Sequence, residues 1–393
     1  MFNRRTLLKS MGAGGLLALA RPEWSFAAAP GDVRLVVMLL RGAVDGLAAV
    51  PPHGDFRYEK ARGAMALPRS GSEGGVIDLD GFYGLHPSLA PLQPLWESKE
   101  LALVHATALP YNDRSHFDSQ DVLENGTDRP LGSRTGWLNR ALVGKTGEPA
   151  MAIGRTVPLI LRGPQKVTSA DPLRVWKPDN ALLNAVADLY EADPQLGPAL
   201  EIGIQTQAML DVHRGRMRDA KRQKKRDFEK AARVLGGVLA ADDGPRVAVV
   251  DLGGWDTHTG QSNGLNKLLE GLAGSVVGMR EAMGSTWDKT VVLAMTEFGR
   301  TVHANGTAGT DHGTASFTML AGGAVAGGKV YGEWPGLRDD QLFEGRDLQP
   351  TTDLRSISKG VLMAHLGVSD SAIEDSVFPD SRDAKPMLEL IRS

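Results

Sequence analysis

The chain has 393 residues, of which 42% are hydrophobic and 23% charged, and its formal net charge is −3. It contains no cysteine, which excludes disulfides, thiolate metal centres and cysteine nucleophiles together. A soluble globular core is well within its means, and a mildly acidic balance gives no reason to expect nucleic acid as a partner.

At the start, adjacent Arg4 and Arg5 precede a weakly apolar run over residues 10–20. A permanent membrane helix needs about 20 apolar residues, so no permanent span is expected here. Ser25 and Ala27 supply small residues at the two positions a signal peptidase reads. Residues 1–27 are therefore expected to be a twin-arginine signal peptide, read by the twin-arginine export machinery. A plain basic tail is the alternative. Export places the mature protein, residues 28–393, in the periplasm or outside the cell. The signal carries Arg4, Arg5, Lys9 and Arg21 against Glu23, so the mature chain is more acidic than the whole, at −6.

The mature part opens on a nearly unbroken apolar run at 33–40, of the kind a strand buried on both faces needs. Similar runs lie at 101–105, 247–250, 291–295 and 317–320. Helical spacing falls between them. Residues 87–96 start with a proline and place Leu89, Leu92 and Leu95 three apart, although Pro91 and Pro94 remove backbone donors. Residues 265–283 give a clearer helix, with Leu265, Leu268, Leu269, Leu272 and Val276. Alternation of strands and helices predicts a single α/β domain over 28–393, with a large, mostly parallel sheet and helices on both faces. Two stretches stand out between these elements. Residues 51–81, rich in glycine and proline, are expected to make an excursion over the sheet edge. Residues 208–239 predict a long amphipathic helix with a basic, solvated face.

Four polar clusters follow expected strands and so would share one rim of the sheet, where ligands of such folds bind. They are residues 41–46, 112–118, 253–258 and 296–313. Each has a plain reading. Asp45 beside Gly46 is a common turn pair, and Asp113 or Ser115 can cap a helix. Asp256 and His258 can belong to a capped loop, and Asp311 and His312 to a tight turn. Together they hold the carboxylates and imidazoles that a divalent ion needs where thiolates are absent. Such an ion would lower the pKa of a serine hydroxyl or bound water and neutralise a phosphoryl or sulfuryl oxygen. Arg41, Arg114 or Arg300 would add bidentate contacts to the anion. On the residues alone, a metal or oxyanion site and a set of unrelated turns and caps both remain open.

An ordered set of motifs adds a resemblance. Arg41-Gly42-Ala43-Val44-Asp45-Gly46-Leu47, Arg114-Ser115-His116-Phe117-Asp118, Gly136-Trp137-Leu138 and Trp255-Asp256-Thr257-His258 occur in that order. Thr296-Glu297-Phe298-Gly299-Arg300-Thr301, Gly309-Thr310-Asp311-His312-Gly313, Pro350-Thr351-Thr352-Asp353 and Val377-Phe378-Pro379 follow. This resembles the bacterial family catalogued as domain of unknown function 1501. The resemblance implies an alkaline phosphatase-like fold, of the alkaline phosphatase and sulfatase superfamily, with metals at strand ends. It implies Ser115 as nucleophile at a helix start, flanked by Arg114 and His116. It implies Asp256, His258 and His312 as metal ligands, with Asp311, Glu297 or Asp45 in support. The superfamily's first strand ends in a metal-binding Asp, where this chain has Arg41, and Glu297-Phe298 stands in place of an Asp-His pair. Both departures favour one divalent metal (Zn, Mn, Ca or Mg), or none, over two. The expected function is an exported hydrolase of phosphate or sulfate esters, its substrate an anionic ester or glycan. The alternative is a non-catalytic envelope protein of the same fold that binds a glycan or assists a co-exported partner.

Overall fold

A computed structural model describes residues 32–143, 150–154, 156–171, 180–190, 193, 196–215, 227–242 and 244–392. The expected signal peptide, residues 1–27, lies outside the described residues. So do Arg216, Arg218, Lys221, Arg222, Lys224, Lys225 and Arg226 of the expected basic helix.

Among the described residues, one sheet gathers nine strands. They are β1 (Arg34–Arg41), β2 (Leu101–Ala108), β3 (Ala150–Ile153), β4 (Val167–Ala170) and β5 (Val247–Gly253). β6 (Thr290–Met295), β7 (Ser316–Ala321), β8 (Lys329–Tyr331) and β9 (Thr352–Asp353) complete it. The order is β8-β2-β7-β6-β1-β5-β3-β4, with β9 also paired to β2. Every pairing is parallel except those of β7, which runs against both β2 and β6. The main helices are α1 (Gly46–Ala49), α2 (His116–Asn125), α3 (Asn180–Tyr190), α4 (Leu196–Gly215), α5 (Asp227–Ala240), α6 (Gln261–Met283) and α7 (Leu354–Ala364).

The unbroken apolar runs are explained by burial of both sheet faces. Side chains of a strand alternate between faces. Leu35, Val37 and Leu39 of β1 pack with Val122 and Leu123 of α2 and Ile357 and Val361 of α7. Val36, Met38 and Leu40 pack the other way, with Leu235 and Leu239 of α5 and Leu265, Leu269 and Val276 of α6. Fully burying each aliphatic side chain contributes about 1.5–3 kcal/mol, so every residue of such a strand stabilises the fold.

One local expectation changes. The helix expected at 87–96 is split into a 3-10 turn, Pro87–Leu92, and an α-helical turn, Gln93–Glu97. Pro91 and Pro94 lack the N–H groups that one continuous helix would need. The excursion at 51–81 meets Trp334, just after the edge strand β8, through Asp55, and also reaches the rim. Its helix Tyr58–Arg62 carries the fully buried Arg62 to the carbonyl of Val302 at 2.9 Å.

His86 and His105 belong to the core. His105 donates from Nε2 to the carbonyl of Val50 at 3.0 Å, accepts from Ala106 N, and stacks on Tyr83. Burial lowers both imidazoles to a pKa of about 4. Between about pH 6.5 and 4 the unfolded chain takes up protons that these native rings refuse. Stability is therefore expected to fall with pH across that window, by up to about 1.4 kcal/mol per pH unit for each histidine. Urea midpoints at pH 7 and pH 5 measure it, and His86→Gln should flatten the difference; an unchanged slope in that variant counts against the assignment.

The register brings the loops together. Arg41 at the end of β1 lies opposite Gly253 of β5, and Leu39 opposite Met295 of β6. The chain leaves β1, β5 and β6 at one rim, while the antiparallel β7 enters there. Residues 309–313, just before β7, thus reach the same place as those following the parallel strands.

Candidate metal centre

Four side chains converge at this rim. His312 Nε2 lies 3.0 Å from His116 Nε2 and 3.0 Å from His258 Nε2. Asp256 Oδ1 lies 2.9 Å from His258 Nε2, 3.2 Å from His312 Nε2 and 3.5 Å from His116 Nε2. The ligand atoms of His116, Asp256 and His312 all fall within 4.8 Å of one another. His116 is the first residue of α2, Asp256 and His258 follow β5, and His312 precedes β7.

The far side of each ring faces an acceptor. His116 Nδ1 is 2.8 Å from Glu297 Oε1, His312 Nδ1 3.1 Å from the carbonyl of Arg114, and His258 Nδ1 3.3 Å from Asp311 Oδ1. A neutral imidazole so placed carries its proton on Nδ1 and turns the Nε2 lone pair inward. Where the rings are neutral in that form, the Nε2 lone pairs of His116 and His258 both face His312 Nε2, with Asp256 Oδ1 beside them. A bound cation resolves that arrangement. The edge of a tetrahedron with bonds of 2.0–2.1 Å is about 3.3–3.4 Å, which the observed separations bracket. Three nitrogens and one oxygen form a borderline donor set that suits zinc, with the acceptors behind the rings fixing them as metal-bound histidines require. His116, Asp256 and His312 therefore fit one divalent ion, and His258 lies beside two of them, His312 and Asp256.

Charge reinforces the geometry. The Glu297 hydrogen bond raises the His116 pKa against the opposing effect of burial. Burial and the nearby His116 lower that of His312. Burial works against the charge on Asp256, but the Arg300 hydrogen bond and neighbouring cations outweigh it and hold its carboxyl below the usual range. Glu297 is likewise held low despite burial, by His116, Gln120 and the Gly42 N–H. Arg300 is fully buried and donates from Nη1 to Asp256 Oδ1 at 2.6 Å. Phe298 floors the site, its ring centroid 4.8 Å from His116 and 5.2 Å from His312.

Gly42 lets two loops close. Its N–H donates to Glu297 Oε1 at 2.8 Å, its φ is +120°, and a Cβ there would stand 2.5 Å from Asp256 N. Only glycine suits that position.

The structure sorts the sequence candidates. Asp256, His258 and His312 meet, and His116, expected beside the nucleophile, joins them. Glu297 and Asp311 stand behind histidines and face their Nδ1 atoms. Asp45, considered as a supporting ligand, is taken up elsewhere. It caps α1 by accepting from Ala48 N at 3.1 Å, and its second oxygen is held by Arg62 and by Gln261 Nε2 at 2.6 Å. Ser115 is the N-cap of α2, accepting from Asp118 N at 3.4 Å, and sits between Arg114 and His116. The three arginines expected to face an anion are engaged inside the protein. Arg41 pairs with Glu124 at 2.8 Å and Asp251 at 3.0 Å. Arg114 pairs with Glu344 at 2.5 Å and Asp347 at 2.8 Å, and Arg300 with Asp256.

Sequence reasoning missed Gln120, whose Nε2 donates to Glu297 Oε1 at 2.9 Å, and Asp347. Gln120 had a signal, because it lies one helical turn after His116 on α2. Asp347 had none, since it lies in none of the four polar clusters.

The family model described as "Protein of unknown function (DUF1501)" matches residues 64–377. The chain belongs to this family. All four converging residues of this DUF1501 protein lie within the match, whereas Asp45 precedes it. No curated protein matches the sequence significantly. Among solved structures, the chain is similar to Ps i-CgsB, solved with k-i-k-neocarrahexaose, at 10% identity and a TM-score of 0.43, covering 88% of this chain and 74% of that one. For the lipoteichoic acid synthase LtaP from Listeria monocytogenes the identity is 10%, the TM-score 0.38 and the coverage 95% and 81%. For the phosphonate monoester hydrolase of Agrobacterium radiobacter these are 11%, 0.33, and 86% and 74%.

Proposed function

We propose that this DUF1501 protein is an exported hydrolase of phosphate or sulfate esters that works with one divalent ion of zinc character, within a single domain over residues 28–393. One observation carries the reading. His116 and His258, each with an acceptor at Nδ1, bring Nε2 to 3.0 Å from His312 Nε2, beside Asp256 Oδ1. His116, His258, His312 and Asp256 would hold the ion, which would supply Lewis-acid stabilisation of charge on an ester oxygen. Glu297 and Asp311 keep the ring tautomers correct. Ser115, at the first turn of α2, brings a hydroxyl next to backbone N–H groups that favour an anion. The ester class follows from the alkaline phosphatase and sulfatase superfamily that membership of the DUF1501 family implies. Asp256 and His258 keep side-chain exposures of 43% and 41%, so a substrate reaches the centre from solvent.

A second reading has its own support. Ser115 already serves as a helix cap, and Arg41, Arg114 and Arg300 are paired with carboxylates. Both suit an envelope protein that kept the fold and binds a glycan or assists a partner without turnover.

Elemental analysis of the purified protein, alongside assay of a simple aryl phosphate and aryl sulfate, separates these readings. Close to one zinc per chain with ester turnover is the expected result. Metal-free protein without turnover favours the second reading. Export is tested separately. Among the described residues no helix is long and apolar enough to cross a membrane. Replacing Arg4 and Arg5 with lysine should leave uncleaved precursor in the cytoplasm, and normal appearance of mature protein outside it would remove the export proposal.

A further inference from the structure

Asp347 is fully buried and lies in none of the polar clusters that build the centre, yet each of its side-chain partners touches or borders His312. Its Oδ2 accepts from Arg114 Nε at 2.9 Å and from Thr314 Oγ1 at 2.9 Å, and lies 2.8 Å from Arg114 Nη2. Its Oδ1 accepts from Arg346 Nε at 2.9 Å. The carbonyl of Arg114 is the acceptor at His312 Nδ1, 3.1 Å away. Arg346 Nη2 donates to the carbonyl of His312. Thr314 follows His312 by two residues. The backbone repeats the connection, since Thr301 bridges to Asp347 while Arg300 bridges to His312.

Arg114 adds a reason for such a hub. Its φ is +55°, a left-handed conformation that residues with a Cβ rarely adopt. Held only by Glu344, which is 59% exposed, the Arg114 side chain would be a loose anchor for that turn. Its bond to the buried Asp347 fixes where the carbonyl points.

We infer that Asp347 is a positioning residue of the metal centre: through Arg114, Arg346 and Thr314 it sets the tautomer and orientation of His312. This rests on the metal reading above. A carboxylate that merely stabilised the loop would affect unfolding but leave metal affinity alone.

The test uses the full chain, with zinc and cobalt(II) as probes. Zinc affinity by competition titration is expected to fall about 10- to 100-fold in Asp347→Asn, the usual cost of losing an outer partner of a metal-bound histidine. The visible spectrum of the cobalt-substituted variant should change, because that absorption reports ligand number and symmetry. Arg114→Gln, which leaves the buried acid in place, should weaken zinc in the same direction and carries the test if Asp347→Asn does not fold. Glu374→Gln opens a different buried pair, with Lys359 at 2.7 Å, and should lower thermal stability without changing zinc affinity. Wild-type affinity and an unchanged cobalt spectrum in folded Asp347→Asn, or in Arg114→Gln, would overturn the positioning role while leaving the metal centre standing. Wild-type protein that takes up neither ion would overturn the centre itself, and the role with it.

Discussion

His312→Ala is expected to lose zinc almost completely while keeping the fold. Its Nε2 is the atom approached at 3.0 Å by both other histidine nitrogens, and Asp256 Oδ1 is 3.2 Å away. Removing it takes away the ligand that the other three share. Loss of an outer hydrogen-bond partner costs about 10- to 100-fold in metal affinity, and loss of this ligand should exceed that. The ring is partly exposed, so truncation leaves little cavity. Asp45→Asn gives the contrast. It breaks a buried pair with Arg62, which typically costs about 3–5 kcal/mol, but Asp45 is not among the converging atoms and zinc content should stay the same. The pH dependence has a definite sign. Glu297 holds the His116 pKa above its ordinary value, so a proton competes with metal at that ring until the pH passes the raised value. Zinc affinity should therefore rise with pH through and above about 6.5. Retained full occupancy in His312→Ala would dispose of the site.

Ser115→Ala is the second large effect. If the hydroxyl attacks the ester, its removal should lower turnover by at least about 10³-fold with zinc still bound. The structural consequence should be small, since an N-cap contributes about 1 kcal/mol and this one accepts at a long 3.4 Å. Activity loss and stability loss are then separated by three orders of magnitude in rate against a few degrees in melting temperature. Turnover close to that of the wild type would exclude Ser115 as nucleophile and leave it as a cap.

Much of the architecture was legible in the chain. The runs at 33–40, 101–105, 247–250, 291–295 and 317–320 became β1, β2, β5, β6 and β7, and their continuous apolar character is what two-sided burial requires. The expected helix at 265–283 became part of α6. The polar clusters do gather at one rim. The antiparallel β7, not expected as such, brings His312 to that rim because its start rather than its end lies there. The helix at 87–96 was misjudged for a local reason, the missing proline donors.

Sequence by itself determined the layered α/β design and the absence of thiol chemistry, together with the polar clusters that meet at the rim. Period-two burial and helical spacing are local properties, and residue type fixes donor chemistry before any folding. Tertiary structure alone decided the division of labour among those residues. Glu297 and His116 are 181 positions apart, and His258 and Asp311 are 53 apart, so no spacing rule could pair them. Which carboxylate meets the Nε2 side of a histidine and which stands behind its Nδ1 depends on how four loops pack over one rim. That packing turned Asp45 toward Arg62, set Glu297 behind His116, and placed the buried Asp347 against Arg114 and Thr314.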